Sequence, residues 1–301
     1  MESENKSNLV IGASGFLGAH VYKRLAHEGA QVHGTCARRR HPGLQAIDLL
    51  DTGAMGGYLR ELRPDIVIWC AKRTEEPGEH DERALLETGL RNLARSVPDT
   101  TRLIFVSTDG VLPGTGGPHA EGIIPRPFAS DSSIARYTNA KLWAEQWLQT
   151  ASPLAPTTTI VRTGMIYGQA VSGLWDPRTA AVLKDFDSGS GFTRADNLLR
   201  TFVHVDELAT ALCELAATDC IPGIVHAGPQ QGESHYTFAR AIARAWSLRL
   251  DLLRPHRIPP EDVEEREVRL DTRLDTAFLR SKLKTRFHSV EDTFLRLAPH
   301  R

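Results

Sequence analysis

The sequence predicts an α/β fold, a doubly wound parallel sheet with a small C-terminal α/β lobe, and three observations carry that reading. In the first half of the chain, short apolar runs alternate with longer amphipathic segments. This is the pattern of βαβ units, whose crossover helices cover both faces of a parallel sheet. The first apolar run passes straight into a glycine-rich turn, Gly12-Ala13-Ser14-Gly15-Phe16-Leu17-Gly18. The pattern then loosens, and residues 175–200 are rich in Gly, Asp and Ser, as expected of a smaller, less regular lobe.

In order, the periodicities predict a strand at 8–11, a helix at 15–28, a strand at 31–36, a helix near 55–62 and a strand at 66–70. A helix at 81–96, a strand at 103–107, a helix at 137–150 and a strand at 159–162 follow. Residues 175–200 read as loop with a little helix, 201–205 as a short strand and 207–217 as an amphipathic helix. Residues 224–227 read as strand, 236–247 as helix, 254–269 as charged, proline-bearing surface and 289–297 as a last helix. The main domain is expected over 1–165, with 201–227 returning to it. The remaining segments of 166–301 form the smaller lobe.

Composition excludes several classes. Of 301 residues, 41% are hydrophobic and 24% charged, and the net charge is −1. Nothing in that balance calls for nucleic acid or an anionic membrane as partner. Cys36, Cys70, Cys213 and Cys220 form no CxxC pair and no His/Cys cluster of zinc spacing, so they read as reduced thiols and no metal site is expected. The opening MESENKSN is polar, with no signal peptide, and no apolar run is long enough to span a bilayer. The expectation is a cytoplasmic protein.

The glycine turn lies between a strand and a helix. There glycines let the backbone bend sharply and approach a pyrophosphate, which then rests on the free N–H groups of the helix N-terminus. Gly12, Ser14, Gly15, Phe16, Leu17 and Gly18 are therefore candidate contacts to a dinucleotide, and the main domain reads as Rossmann-type. The alternative is a tight βα turn with no ligand. After the second strand, where an NAD site places an acid, this chain has Ala37-Arg38-Arg39-Arg40. Guanidinium groups suit a 2′-phosphate, so Arg38 and Arg39 point to NADPH, with NADH as the lesser possibility. A solvated loop is the bland reading. Asp48 is either an adenine contact or a cap for the next helix.

Tyr137 and Lys141 stand four residues apart in RYTNAKLWAE and so share a helix face. A free tyrosine has a pKa of about 10. A neighbouring ammonium lowers that value, which fits Tyr137 to protonate the oxygen formed as hydride reaches a carbonyl carbon. Ser107-Thr108 ends the preceding strand. Ser107 falls beside the cofactor, and the Thr108 hydroxyl can hold the same carbonyl oxygen. A YxxxK pair on an ordinary amphipathic helix is the plain alternative. Trp143 and Trp147 share another face, which fits internal packing or a homodimer contact.

The stretches IGASGFLG, FVSTDGVLPG, RYTNAKLWAE, VRTGMIYG, TFVHVDELATAL and RLDTRLDTAFLRSKL resemble the extended short-chain dehydrogenases/reductases, and within them the dTDP-4-dehydrorhamnose reductase-like nucleotide-sugar ketoreductases. The resemblance runs from residue 11 to about 283. It implies a small substrate lobe and hydride transfer to a 4-keto-6-deoxysugar carried on a nucleotide. By matched position it implies pyrophosphate contacts from Gly15, Phe16 and Leu17, and adenine contacts from Asp48 and Leu49. Cys70, Ala71 and Lys72 would border the adenosine ribose and phosphates. Thr108, Asp109 and Met165 would meet the sugar, and Arg200 stands where such enzymes place a nucleotide-phosphate contact. The chain departs from the pattern at Gly110, where relatives carry tyrosine, at Leu86 for asparagine and at Met165 for tryptophan. Two other readings stay open: an epimerase or dehydratase of the same family, and a regulatory subunit that binds a dinucleotide without catalysis.

Overall fold

The computed structural model describes residues 6–37, 41–72 and 82–298. The central element is a seven-stranded sheet. Its strands are β1 (Asn8–Ile11), β2 (Val32–Cys36), β3 (Gln45–Ala46), β4 (Ile66–Trp69), β5 (Arg102–Thr108), β6 (Thr158–Thr163) and a later strand, Gly223–Ala227. The later strand lies at one edge beside β6, and the order continues β5, β4, β1, β2, β3. The pairings of β1 with β2 and β4, of β4 with β5 and of β2 with β3 are all parallel. Order reverses about β1, which makes the ends of β1 and β4 the switch point where such sheets take ligands.

Between the first six of these strands lie the helices α1 (Phe16–His27), α2 (Thr52–Leu62), α3 (Glu82–Ser96) and α4 (Ser133–Thr150). Their starts follow local chemistry. Asp51 accepts from the Gly53 and Ala54 N–H groups at 3.0 and 2.9 Å, and Ser132 accepts from Ala135 N at 3.3 Å. These caps begin α2 and α4 several residues earlier than apolar periodicity indicates. The cap of α2 is thus Asp51, while Asp48 accepts locally from Leu50 N at 3.0 Å. Leu9, Ile11, Val67, Trp69, Leu86, Leu90, Leu93, Phe105 and Ala144 belong to one buried core. Trp143 and Trp147 stack at 6.0 Å on its margin, with the Arg83 guanidinium 4.4 Å from the Trp143 ring.

The chain divides into two compact units, residues 1–111, 127–162 and 209–225 in the first, and 112–126, 163–208 and 226–301 in the second. In the second unit, β7 (Met165–Tyr167) pairs in parallel with β10 (Phe202–His204). Tyr167, Phe202, Phe238 and Phe294 form its aromatic core. Residues 175–200 are more ordered than the loop expected from their composition. They hold α5 (Pro177–Asp187), β8 (Phe192–Ala195) and β9 (Leu199–Arg200). Asp176 caps α5 from Arg178 N and Thr179 N, and Pro177 suits the first helical position. Residues 254–256 are exposed, as their composition suggests, while Leu253–His256 pairs in parallel with β8; Arg269, at the end of that stretch, is instead buried, donating to the Leu112 carbonyl at 2.7 Å.

Candidate active site

The glycine turn is built as its sequence requires. Gly12 has φ +85°, and a Cβ there would stand 2.7 Å from Ala71 Cα. A Cβ on Gly18 would stand 2.2 Å from the Gly12 carbonyl oxygen. Both positions therefore exclude any side chain, one by conformation and space and the other by space alone. Gly12 N donates to Thr35 Oγ1 at 3.2 Å, and Gly15 N to Gly12 O at 3.0 Å. Gly15 is the N-cap of α1 and supplies no side-chain cap, so it leaves the first N–H groups of the helix without a partner from its own side chain. Ser14 and Gly15 are exposed, and Leu17 is buried.

Sequence reasoning passed over Gly34. A Cβ on it would meet Leu44, Ala13 and Tyr22 at 2.6–2.9 Å, so this glycine is what lets β2 lie against the turn. A lone glycine within a strand pattern was the available signal. Arg38 and Arg39 lie outside the described residues. Asp48 is exposed and Leu49 buried just after β3. Ala71 is buried against Gly12, while Cys70 and Lys72 flank it. Burial pushes the Cys70 thiol up to about 12, against the Lys141 charge.

On α4, Tyr137 is half-buried and Lys141 buried, 3% exposed. Lys141 Nζ donates to Val106 O at 3.1 Å, 4.7 Å from the Phe105 ring centroid and 5.9 Å from that of Tyr137. Lys72 Nζ stands 5.8 Å from the same tyrosine ring. Two ammonium groups thus face Tyr137. Burial holds the pKa of Lys141 below the usual lysine value, with Glu82 opposing that shift.

Thr108 closes β5. Its Oγ1 accepts from Gly110 N at 3.1 Å and lies 3.4 Å from Asp109 Oδ1. Asp109 is buried. A Cβ on Gly110 would sit 3.0 Å from Thr138 Oγ1 and 3.3 Å from Thr108 Oγ1, so both hydroxyls border the space that a side chain there would enter. Leu86 packs in the core. Ser107 Oγ donates to Glu145 Oε1 at 2.5 Å, a partner that sequence reasoning missed although Glu145 follows Lys141 by one helical turn.

Met165 and Arg200 belong to the second unit. Met165 is half-buried. Arg200 donates to the carbonyls of Leu199, Leu270 and Arg269 at 2.7, 3.3 and 2.7 Å, fastening the 269–270 segment to β9. Among the described residues no cluster of His, Cys, Asp and Glu could hold a metal ion, and no helix is long and apolar enough to cross a membrane.

Comparison with known proteins places this architecture. The chain is 27% identical over 261 residues to methionine adenosyltransferase 2 subunit beta of Bos taurus, covering 83% of this chain and 75% of that one. It is 29% identical over 251 residues to dTDP-4-dehydrorhamnose reductase of Mycobacterium tuberculosis H37Rv, covering 80% and 76%. The crystal structure of dTDP-4-dehydrorhamnose reductase from Bacillus anthracis str. Ames, in complex with NADP, superposes with a TM-score of 0.76 at 20% identity, covering 98% of each chain. A family model described as the RmlD substrate binding domain matches residues 7–295. The chain belongs to that family, the dTDP-4-dehydrorhamnose reductase-like branch of the extended short-chain dehydrogenases/reductases.

Proposed function

We propose that this protein is a dinucleotide-dependent oxidoreductase acting on nucleotide-sugars, and that it reduces a ketone to an alcohol with NADPH. The 4-keto group of a nucleotide-linked deoxysugar is the substrate that fits best. The observation that carries the reading is the Tyr137–Lys141 face of α4, with Lys141 Nζ 5.9 Å from the tyrosine ring centroid. The tight turn that Gly12 and Gly18 allow, where backbone packs too closely for any Cβ, and the start of α1 without a side-chain cap fit a dinucleotide pyrophosphate. Gly15, Phe16 and Leu17 would hold it. Leu49 with Asp48 would border the adenine, and Cys70, Ala71 and Lys72 the adenosine ribose. Arg38 and Arg39 supply the preference for a 2′-phosphate.

The cofactor, when bound, supplies the hydride. The chain supplies the rest. Thr108 Oγ1 holds the ketone oxygen by a hydrogen bond, and Tyr137 gives its phenolic proton to that oxygen as negative charge develops there. Lys141 and Lys72 favour the phenolate left behind. Lys141, buried, would also bond the nicotinamide ribose, and Ser107 lies at the same end of β5. Asp109 in the first unit and Met165 in the second are each a candidate contact to the sugar. At Arg200, a nucleotide phosphate would share a guanidinium already holding the 269–270 segment.

A 4,6-dehydratase is disfavoured by Gly110, which provides no acid for elimination, and an epimerase by the lack of a carboxylate in 32–40. A regulatory subunit that binds a dinucleotide is the second reading, favoured by the similarity to subunit beta of methionine adenosyltransferase 2. The test is NADPH consumption against nucleotide-linked 4-keto sugars and matched carbonyls without the nucleotide. Turnover with the nucleotide-linked ketones supports the first reading. Bound NADPH with no turnover across the panel favours the second.

A further inference from the structure

β5 is tied to α4 by two successive residues. Val106 O accepts from Lys141 Nζ at 3.1 Å, and Ser107 Oγ donates to Glu145 Oε1 at 2.5 Å. The next residue is Thr108, the group proposed to hold the ketone oxygen. On α4, Tyr137, Lys141 and Glu145 follow one another at intervals of four and share a face. Glu145 is in turn clamped by Arg162 of β6, whose Nε lies 3.1 and 3.2 Å from its two oxygens and whose Nη2 donates to Oε2 at 2.7 Å. Glu145 is 1% exposed and Arg162 0%.

Stability alone explains this cluster poorly. A buried ion pair is often replaceable by apolar side chains at no loss. Among the described residues Arg162 Nη1 also finds no hydrogen-bond partner, a further cost. What Glu145 does provide is a fixed carboxylate one helical turn from the Lys141 ammonium, a smaller influence on it than burial and Glu82. Glu82 from α3, Lys72 and Cys70 from the end of β4, and Tyr137 from α4 itself also face that ammonium.

We propose that Glu145 is a positioning residue: bonded to Ser107 and clamped by Arg162, it holds the end of β5 against the Tyr137–Lys141 face and supplies a counter-charge to the Lys141 ammonium. This role rests on the reading of Tyr137 and Lys141 as the proton-donating pair. It explains why the strand end carrying Thr108 stays in register with the tyrosine on α4.

The test is a titration of Lys141 by NMR on protein labelled with 13C-lysine, the resonance being identified by its loss in Lys141→Met. Glu145→Gln keeps the side-chain shape, removes the negative charge and uncovers the Arg162 cation. Both changes disfavour the ammonium, so the Lys141 titration moves to lower pH, and turnover falls roughly tenfold or more through misplacement of the reacting groups. A Lys141 titration that stays in place overturns the proposal and leaves Glu145 a structural residue. Should the single variant not fold, Glu145→Gln with Arg162→Met removes the pair without leaving a lone buried charge. It shifts Lys141 in the same direction, by less. The titration needs no substrate. A protein that reduces no ketone yet shows the shift would sink the proposed function and keep the Glu145–Lys141 linkage.

Discussion

Lys141 Nζ lies 5.9 Å from the centre of the Tyr137 ring while donating to the Val106 carbonyl at 3.1 Å. The lysine is thereby fixed to β5 and to α4 at once, and the tyrosine keeps one half-buried edge. The Thr108 hydroxyl and the Tyr137 phenol are thus carried on two elements that one buried lysine links.

Tyr137→Phe keeps the ring and removes only the proton. Turnover should fall by about 10²–10⁴-fold, the usual worth of a positioned acid, while NADPH still binds. Steady-state assay together with cofactor fluorescence separates the two effects. Retained turnover would rule out Tyr137 as the proton donor.

Gly18→Ala puts a methyl group 2.2 Å from the Gly12 carbonyl oxygen, and backbone on both sides must move. Overpacking of this kind costs about 1–3 kcal/mol, and the turn shifts with α1, so NADPH affinity should drop with stability. Gly57→Ala is the contrasting change. Gly57 is an exposed residue inside α2 with nothing near its missing Cβ, and alanine there should add about 0.5–1 kcal/mol without touching cofactor affinity. Denaturant unfolding of the two variants, run beside an NADPH titration, checks both signs.

What could be read from sequence depended on how local the cause was. The glycine turn and the Tyr137–Lys141 face were legible because a tight turn and a helical period are each set within seven residues. The starts of α2, α4 and α5 were missed or placed late because Asp51, Ser132 and Asp176 act as caps through side-chain oxygens, which apolar periodicity does not register. The pairing of β8 with Leu253–His256 joins two short strands some sixty residues apart in sequence, and no local pattern marks such partners. The Glu145–Arg162 pair was hidden for a related reason: its members sit on a helix and a strand, and only the packing of α4 on the sheet joins them.

Arg38→Ala with Arg39→Ala tests cofactor choice. The motive is the run of guanidinium groups after β2 where an acid would select NAD. A guanidinium–phosphate contact made only with the 2′-phosphate is lost only for NADPH. Its affinity should therefore fall by tenfold or more, the loss of about 1.5–3 kcal/mol for a charge-assisted hydrogen bond, while NADH affinity changes little. Equal losses for the two cofactors would refute the 2′-phosphate assignment.

Lys141→Met should cost activity and add stability. Burial holds the folded-state pKa of Lys141 below its value in the unfolded chain, with Glu82 opposing. Below the folded pKa the unfolded chain and the native protein both carry the proton, and the native state bears the full burden of an ammonium taken out of water. Between the two pKa values the unfolded state binds more protons, so stability climbs with pH. Above the unfolded value of about 10.4 the burden is gone. Replacing the ammonium by a thioether of similar length removes it at every pH. The variant should therefore melt higher than the parent at neutral pH, by about 2 °C or more, and the gap should close as the pH rises toward that of free lysine. Thermal unfolding of both proteins at neutral and alkaline pH measures this. A variant that melts lower at neutral pH would mean that the bond from Lys141 to Val106 outweighs the desolvation of its charge.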